Sequence, residues 1–367
     1  MKKFFAKIHL WLSIPFGIII AIVCLTGAIL VFEAEILEFC YPSRYFVKEI
    51  KSEPLSPATL MDTAREQLPD SIKINGIRVS SDPKRTYQLI LPGKKAACFI
   101  NPYTGEITGI DDGKGFFMKI MRLHRWLLDE YKRDGSFAWG KTIVGYSTLV
   151  LAIIIISGLV IWYPRNKKAL KAGWFRFLYD LHVSGGFYAA LLLLILALTG
   201  LTWSFGWYRD AFYTAFGIST TSKQTHAPTS AVPQKTAGER GSKKHPKTDY
   251  TQWAEVLADL QSRYPEYKSI SIQDGSATVS TAAYGNTRGS DRYSFDPATG
   301  KITEIQLYKD LPKSAKIRGW IYSVHAGTWG GLTTRILSCL VSLLGAVFAI
   351  TGYYFWIKKK LRKSKQR

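Results

Sequence analysis

Four long runs of uncharged, mostly apolar residues stand out in the pattern of hydrophobic and polar positions. They span residues 10–32, 143–163, 183–207 and 336–356. Because an α-helix needs roughly 20 residues to cross a bilayer, each run is long enough to span one. Lysines precede the first run, as in a signal peptide, but the run is too long for a signal-peptide core and no A-x-A-like cleavage site follows it. The pattern therefore predicts four transmembrane helices, with the first one retained.

The two long polar segments, which follow the first and third runs, each predict one helix and several short strands. Apolar residues recur at helical spacing early in each segment, and short stretches bounded by turn residues follow. Each segment is therefore expected to fold as a small α+β domain. The expected helices span 54–69 and 250–264, and the expected strands span 73–79, 86–91, 96–100, 268–273, 277–282 and 292–295.

The first and third apolar runs are near-copies of each other. Aligning His9 with His182 also pairs Thr26-Gly27 with Thr199-Gly200 at the same spacing. The same Pro-x-Thr-Gly turn recurs after the strands of both polar segments. The order of helix, polar domain and helix thus occurs twice with the same orientation. This repetition predicts an internal parallel duplication, with a pseudo-twofold axis along the membrane normal.

Lysine and arginine are concentrated in three short segments at the ends of the apolar runs. These segments are the N-terminus, residues 164–181 and the C-terminal tail. The positive-inside rule places all three in the cytoplasm and both long segments, 33–142 and 208–335, outside it. The three segments supply +14 of the net charge of +22, so membrane topology is the favoured explanation for the excess of cations. We therefore expect a lipid bilayer, and no nucleic acid, as the partner of these cations.

The pattern divides the chain into nine segments. They are transmembrane helix 1 (1–33), a first extracytoplasmic α+β domain (34–113), an outer-face helix with transmembrane helix 2 (114–164), a cytoplasmic loop (165–181), transmembrane helix 3 (182–207), an outer segment with a linker (208–249), a second extracytoplasmic α+β domain (250–316), an outer-face segment with transmembrane helix 4 (317–357) and a basic cytoplasmic tail (358–367). Residues 219–249 are rich in Ser, Thr, Pro, Lys and Gly, which predicts a disordered linker in which His226 and His245 are solvated.

The other four histidines lie at the edges of the predicted spans. His9 and His182 are at cytoplasmic ends, whereas His124 and His325 precede helices 2 and 4 on the outer side. Ionisable residues this close to a membrane are costly and suggest a function. The 18 positions from His9 to Gly27 cover about 27 Å of helix, which is nearly the thickness of the hydrocarbon layer. Only His9 with His182, and His124 with His325, can therefore form pairs.

Each predicted pair has the composition of a bis-histidine haem site. A neutral imidazole is a ligand of haem iron, and an apolar cleft between helices accommodates a porphyrin. Zinc is less favoured, because neither pair has a cluster of Cys, Asp or Glu beside it. The alternative, in which the histidines only anchor helix ends, stays open. His124 is too far from the second run to share its helix, so we expect it on a short helix against the outer face, before a break at 129–140.

Several further residues have two interpretations. Cys40 and Cys98 both fall outside the membrane, where a disulfide is chemically possible, and the sequence does not decide whether they pair. Aromatic and basic residues near the outer face are candidates for substrate docking, but they are more typical of an interfacial belt with snorkelling cations. These candidates are Trp126, Trp207, Arg209, Arg318, Trp320 and Trp329.

Four motifs resemble the PepSY-associated transmembrane family. They are K-I-H-L-W-L followed by L-T-G-A-I-L-V-F in the first run, L-H-R-W-L at 123–127, the N-P-x-T-G-E-I turn, and V-H-A-G-T-W-G-G at 324–331. The resemblance covers nearly the whole chain except the linker. It implies a protein of the bacterial inner membrane with four transmembrane helices and two PepSY-like periplasmic domains. It also implies two haems b per chain, with ligands at His9, His182, His124 and His325.

The characterised members of this family are di-haem reductases of ferric siderophores. The resemblance therefore implies an oxidoreductase that passes electrons from a cytoplasmic or quinol donor to a ferric siderophore or other ferric chelate in the periplasm. No flavin or nicotinamide motif is present, so the donor is expected to be a separate molecule. Two alternatives stay open. One is a non-catalytic PepSY membrane protein that binds or regulates a partner, and the other is a transporter of the iron complex.

Overall fold

The bundle of membrane helices follows the four apolar runs. In a computed structural model of the chain, the described residues are 1–51, 53–93, 95–129, 137–162, 173–218, 250–281 and 285–364. Within them, four helices are long and apolar enough to cross a membrane: Lys2–Val31, Trp139–Ile161, Trp174–Ser204 and Gly331–Arg362. The prediction of four spans is confirmed, although each helix begins several residues before its apolar run. The predicted linker, with His226 and His245, lies outside the described residues, as do 130–136 and 163–172.

Shorter helices flank the spans at both ends. In chain order the described helices are α1 (Lys2–Val31), α2 (Glu33–Cys40), α3 (Pro42–Tyr45), α4 (Pro57–Gln67), α5 (Phe116–Trp126), α6 (Trp139–Ile161), α7 (Trp174–Asp180), α8 (Gly186–Ser204), α9 (Gly206–Ala215), α10 (Thr251–Arg263), α11 (Lys313–His325) and α12 (Gly331–Ser364). A π-helical turn, Leu181–Gly185, joins α7 to α8. In the bundle, α1 packs against α6 and α12, and α6 packs against α8.

The two polar segments form one antiparallel sheet. Its strands are β1 (Gly76–Ser80), β2 (Tyr87–Ile90), β3 (Ala97–Ile100), β4 (Ile107–Asp111), β5 (Tyr267–Gln273), β6 (Ser276–Thr281), β7 (Asp291–Phe295) and β8 (Ile302–Gln306). The strand order is β4-β3-β2-β1-β5-β6-β7-β8, so each segment supplies four consecutive strands. The halves join where β1 pairs with β5 in antiparallel register, from Gly76 opposite Gln273 to Ser80 opposite Ser269. The sequence patterns predicted two domains but not this joint.

One apolar core serves both halves of the sheet. Alternate residues of the central strands, including Ile77 and Ile270, are fully buried against the helices. The cover comes from α4, through Leu60, and from α10, through Trp253 and Leu260. Burying a large aliphatic or aromatic side chain contributes about 1.5–3 kcal/mol. The two segments therefore stabilise each other and do not depend on separate cores.

Replacing Gly76 with valine is expected to weaken the joint between β1 and β5. A side chain at this position would press on the backbone of Ile272 and on the side chain of Gln273 in the facing strand. Overpacking of this kind costs about 1–3 kcal/mol. We expect a lower unfolding temperature for Gly76→Val in detergent solution. A methyl group added at Gly115 meets nothing within 4 Å, so Gly115→Ala should have the same unfolding temperature as the wild type. Equal unfolding temperatures for the two variants would contradict this view of the joint.

The helix α2 attaches the sheet to the membrane bundle. Its Glu33 carboxylate lies 2.6 Å from Lys95 Nζ, before β3, and its Glu38 carboxylate lies 2.8 Å from Arg85, before β2. A third ion pair joins Glu35 to Arg335, in the first turn of α12. The three carboxylates on one short helix therefore connect the first half of the sheet to a membrane helix. We refer below to the end of the bundle nearest the sheet as the sheet end, and to the other as the loop end.

The four cysteines are all free thiols. Cys40 is exposed at the end of α2, whereas Cys98 is buried in β3. Burial raises the pKa of the Cys98 thiol to about 11. Since the thiolate is the reactive form, Cys98 is a packing residue at neutral pH.

Candidate functional site

The four histidines at the span edges form two close pairs. His9 on α1 and His182 in the π-helical turn lie at the loop end, with ring centres 6.3 Å apart. His124 on α5 and His325 on α11 lie at the sheet end, with ring centres 6.2 Å apart. These are the two pairs that helix length predicted. The structure therefore places one pair of imidazoles at each end of the membrane bundle.

Each histidine ring lies against a Ser-Gly or Thr-Gly dipeptide on a different helix, which we call its socket. In each socket the hydroxyl faces the ring Nδ1 and the glycine faces the ring carbon Cε1. The sockets are Ser157-Gly158 for His9, Thr351-Gly352 for His182, Thr26-Gly27 for His124 and Thr199-Gly200 for His325. Every apolar run therefore supplies one socket, and the same local contact occurs four times.

The sockets determine which ring nitrogen carries the proton. In three sockets the Nδ1 atom also meets the carbonyl oxygen three residues before the hydroxyl. These carbonyls belong to Ile154, facing His9 at 3.0 Å, to Val23, facing His124 at 2.9 Å, and to Leu196, facing His325 at 3.0 Å. His182 Nδ1 meets the Thr351 hydroxyl, whose own proton is donated to the carbonyl of Val347. A carbonyl only accepts hydrogen bonds, so Nδ1 must donate. A neutral ring of this tautomer has its lone pair on Nε2.

The hydroxyl of each socket is oriented to accept the same proton. Thr26 Oγ1 donates to the carbonyl of Ile22 at 2.6 Å, and Thr199 Oγ1 donates to that of Ile195 at 2.7 Å. Since each hydroxyl has one proton, its remaining lone pairs face the histidine. The Nε2 atoms make no hydrogen bond to another described residue. The four Nε2 lone pairs are therefore available to a ligand, which is the arrangement by which outer contacts prepare a histidine for a metal.

The sheet-end rings are uncharged at neutral pH. Desolvation between the helices lowers the pKa of His124 to about 4 and that of His325 to about 4. The guanidinium of Arg125 acts in the same direction on both rings. Neutral imidazole is the form that binds a metal. These histidines therefore need no deprotonation before coordination at pH 7.

Local backbone geometry presents the histidines to one another. His182 occupies the π-helical turn between α7 and α8, and such turns are frequent at functional sites. His124 lies near the end of α5, which stops where Leu127 and Leu128 adopt left-handed φ values of 49° and 67°. That conformation is costly for non-glycine residues, so the packing around them must enforce it. Helix α5 packs against α6, and most of the predicted break at 129–140 lies outside the described residues.

A cavity of about 450 Å³ surrounds the loop-end pair. It is lined mainly by aliphatic and aromatic side chains of α1, α6, α8 and α12, with Lys359 adding a positive charge. Along α1 it reaches from His9 to Ile20, which is about 16 Å of helix. The buried indole nitrogen of Trp162, which also lines it, has no hydrogen-bond partner among the described residues. Size and apolar lining are those of a cofactor pocket.

The candidate docking residues do not form one surface. Arg209 and Arg318 line a smaller cavity of about 200 Å³ at the sheet end, together with Trp203 and Tyr213. Trp126 is buried, at 9% exposure, and Arg125 lies over its ring. The three remaining tryptophans are exposed: Trp207, Trp320 and Trp329. Of these six residues, only Arg209 and Arg318 therefore line the same pocket.

Within the described residues, no group of three or more His, Cys, Asp or Glu lies close enough to hold a metal ion. Each histidine pair therefore offers two protein ligands, one on each side of the space between the rings. A tetrahedral site needs about four ligands, whereas a haem iron takes four from the porphyrin and two axial ones from the protein. Two imidazoles alone are too few for a tetrahedral metal site, and they match the number of protein ligands that a haem iron takes.

A family model described as the PepSY-associated TM region matches residues 6–359. The chain belongs to this family. The matched region includes all four histidines, their sockets and the eight strands. The four spans and the sheet are those of a multi-pass membrane protein of the PepSY-associated TM family. A search of curated proteins finds no match.

The socket residues are the part of the site that sequence reasoning missed. Thr26-Gly27 and Thr199-Gly200 served only to align the first and third runs. The signal that identifies them was present, because a Ser-Gly or Thr-Gly dipeptide lies near one end of every run. A hydroxyl next to a glycine on one helix face provides both an acceptor and space for a ring. Recurrence of that dipeptide in all four spans is therefore a sign of four bound rings.

Proposed function

We propose that the chain is an inner-membrane electron-transfer protein in which each histidine pair holds one haem b. The observation that carries the proposal is the fourfold socket, which gives four histidines the same tautomer and leaves four Nε2 atoms free. Helix anchoring alone would require no such agreement. It would also place no requirement on the distance between rings from different helices.

The separation of the rings suits one iron between them. A metal–imidazole bond is about 2 Å long and the bonding nitrogen lies about 1 Å from the ring centre, so two axial imidazoles have centres roughly 6 Å apart. The observed separations are 6.3 Å and 6.2 Å. The ring separations therefore suit one iron at each end of the bundle, and at the loop end an apolar cavity surrounds the pair.

When bound, haem supplies a one-electron carrier that alternates between ferric and ferrous iron. The chain contributes the rest. The histidines would hold the iron through Nε2, the socket oxygens accept the Nδ1 protons, and the apolar side chains exclude water. Helix α1 takes part in both sites, because it carries His9 at the loop end and the Thr26-Gly27 socket at the sheet end. The gap from Ile20, at the end of the loop-end cavity, to Gly27 is about 10 Å of helix.

We further propose that the loop end is cytoplasmic and the sheet end periplasmic, as the positive-inside rule indicates. A cytoplasmic or quinol donor then gives up one electron at the His9–His182 pair. The electron leaves from the His124–His325 pair to a ferric siderophore or other ferric chelate. Fe(III) is a hard cation that oxygen ligands hold tightly, and the Fe(II) produced is held less tightly. No bond to the protein forms or breaks in this step.

Transfer across a membrane tests this function directly. We expect purified protein in sealed vesicles, with reduced quinol enclosed, to reduce external ferric citrate, as measured with an external Fe(II)-specific dye. Vesicles containing His9→Ala protein should do so no faster than empty vesicles. If wild-type and empty vesicles give equal rates, the proposed function is wrong, and a binding or regulatory role takes its place.

A further inference from the structure

The sheet end carries a second small cavity beside His325. It is lined by Thr202 and Trp203 at the end of α8, by Arg209 and Tyr213 of α9, and by Arg318 and Ile321 of α11. Tyr213 and Ile321 are buried, at 8% and 6% exposure, whereas Arg318 is exposed. The cavity therefore has a buried floor and a cationic rim. We propose that it binds a carboxylate.

The charge of the cavity favours an anion. Arg209 donates from Nε and Nη2 to one oxygen of Asp210, at 3.0 Å in both cases. This contact occupies one edge of the guanidinium and leaves Nη1 free. Among the described residues no carboxylate pairs with Arg318. Two guanidinium groups and one carboxylate give a net positive charge, and guanidinium is the side chain best suited to bind a carboxylate through two hydrogen bonds.

The cavity belongs to the second half of the chain alone. Arg209 comes four residues after Phe205, and the residue four after the aligned Phe32 is Ile36. Arg318 precedes His325 by seven residues, and the residue seven before His124 is Phe117. The helix that corresponds to α9 is α2, whose glutamates bind lysine and arginine. The socket contact is the same for His124 and His325, so it does not depend on these two arginines.

The position of the cavity connects it to the sheet-end pair. Trp203 lines the cavity, and its ring centre lies 5.2 Å from that of His325. A ligand here is thus separated from the histidine pair by one aromatic side chain. Resting on the proposed function, two sources of carboxylate are suitable: a carboxylate-bearing ferric chelate, which would be the electron acceptor, or a propionate of the sheet-end porphyrin. The volume of about 200 Å³ admits the carboxylate edge of either.

Binding of gallium(III) citrate to purified full-length protein tests the proposal. Gallium(III) resembles Fe(III) in charge but is not reduced, so calorimetry reports binding without electron transfer. We expect Arg318→Gln and Arg209→Gln to weaken binding at least tenfold. Arg292→Gln, on the exposed face of β7, should bind like the wild type. The affinity for a gallium(III) trihydroxamate, which lacks carboxylates, should be the same in all three variants as in the wild type.

A second experiment measures how fast each variant loses haem. If the carboxylate comes from the porphyrin, citrate does not bind, and the two cavity variants lose haem from the sheet-end pair at least tenfold faster than Arg292→Gln. Unchanged citrate binding together with unchanged haem retention in both cavity variants would overturn the proposal. A protein without haem would refute the proposed function instead, and the citrate arm would still report on the cavity.

Discussion

Replacing any one of the four paired histidines with alanine is expected to reduce haem content from two per chain to one. An axial ligand is lost, and the remaining imidazole faces an open coordination position. His9→Ala and His182→Ala should empty the loop-end site, whereas His124→Ala and His325→Ala should empty the sheet-end site. The measurement is the haem content of the purified variants, with the midpoint potential of the haem that remains.

The midpoint potentials show which two histidines share a haem. His9→Ala and His182→Ala should both retain the sheet-end haem and therefore show the same midpoint potential. His124→Ala and His325→Ala should both retain the loop-end haem, with a different midpoint potential. His226→Ala, in the predicted linker, is the control and should keep both haems. Retention of two haems by His9→Ala and by His182→Ala would contradict ligation by that pair.

Replacing a socket glycine with alanine is expected to weaken haem binding. The size of the effect should depend on how close the added methyl group comes to the histidine ring. A methyl group added at Gly200 would lie 3.0 Å from Cε1 of His325, and one at Gly27 would lie 3.1 Å from Cε1 of His124. At Gly352 the corresponding distance to His182 is 3.8 Å, an ordinary contact. Alanine at Gly200 or Gly27 must therefore move the ring, whereas alanine at Gly352 need not.

We expect Gly200→Ala and Gly27→Ala to weaken haem binding at the sheet end by about 1–3 kcal/mol, the usual cost of overpacking. That corresponds to roughly fivefold or more in the rate of haem transfer to an acceptor protein such as apomyoglobin. Gly352→Ala is the matched control and should release haem at the wild-type rate. Equal rates in all three variants would show that the rings do not depend on the sockets.

The membrane helices and the pairing of the histidines were predictable from the sequence for a simple physical reason. An uncharged apolar run of bilayer length is typical of a membrane span, and helix rise then fixes which residues share an end of the bundle. His9 is about 27 Å of helix from Gly27, so it had one possible partner, His182. The family resemblance added the cofactor, which spacing alone offered only as a hypothesis.

Contacts between distant segments were not predictable in the same way. The β1–β5 joint depends on backbone hydrogen bonds, which leave no pattern in the side chains. Helices α2 and α9 are short, with 8 and 10 residues, and directly follow membrane helices, so the sequence pattern did not separate them from the spans. The sockets depend on which face of a helix a hydroxyl occupies relative to another helix. Such information exists only after the helices have packed, although the recurrence of the dipeptide indicated it.

The most direct test of the central claim is a pyridine haemochrome assay on the purified wild-type protein. If the histidine pairs bind haem at both ends of the bundle, the assay gives about two haems b per chain, and the reduced protein has the low-spin spectrum of bis-histidine ligation. A protein that carries no haem after expression with ample haem supply, or whose haem is high-spin throughout, would contradict the account.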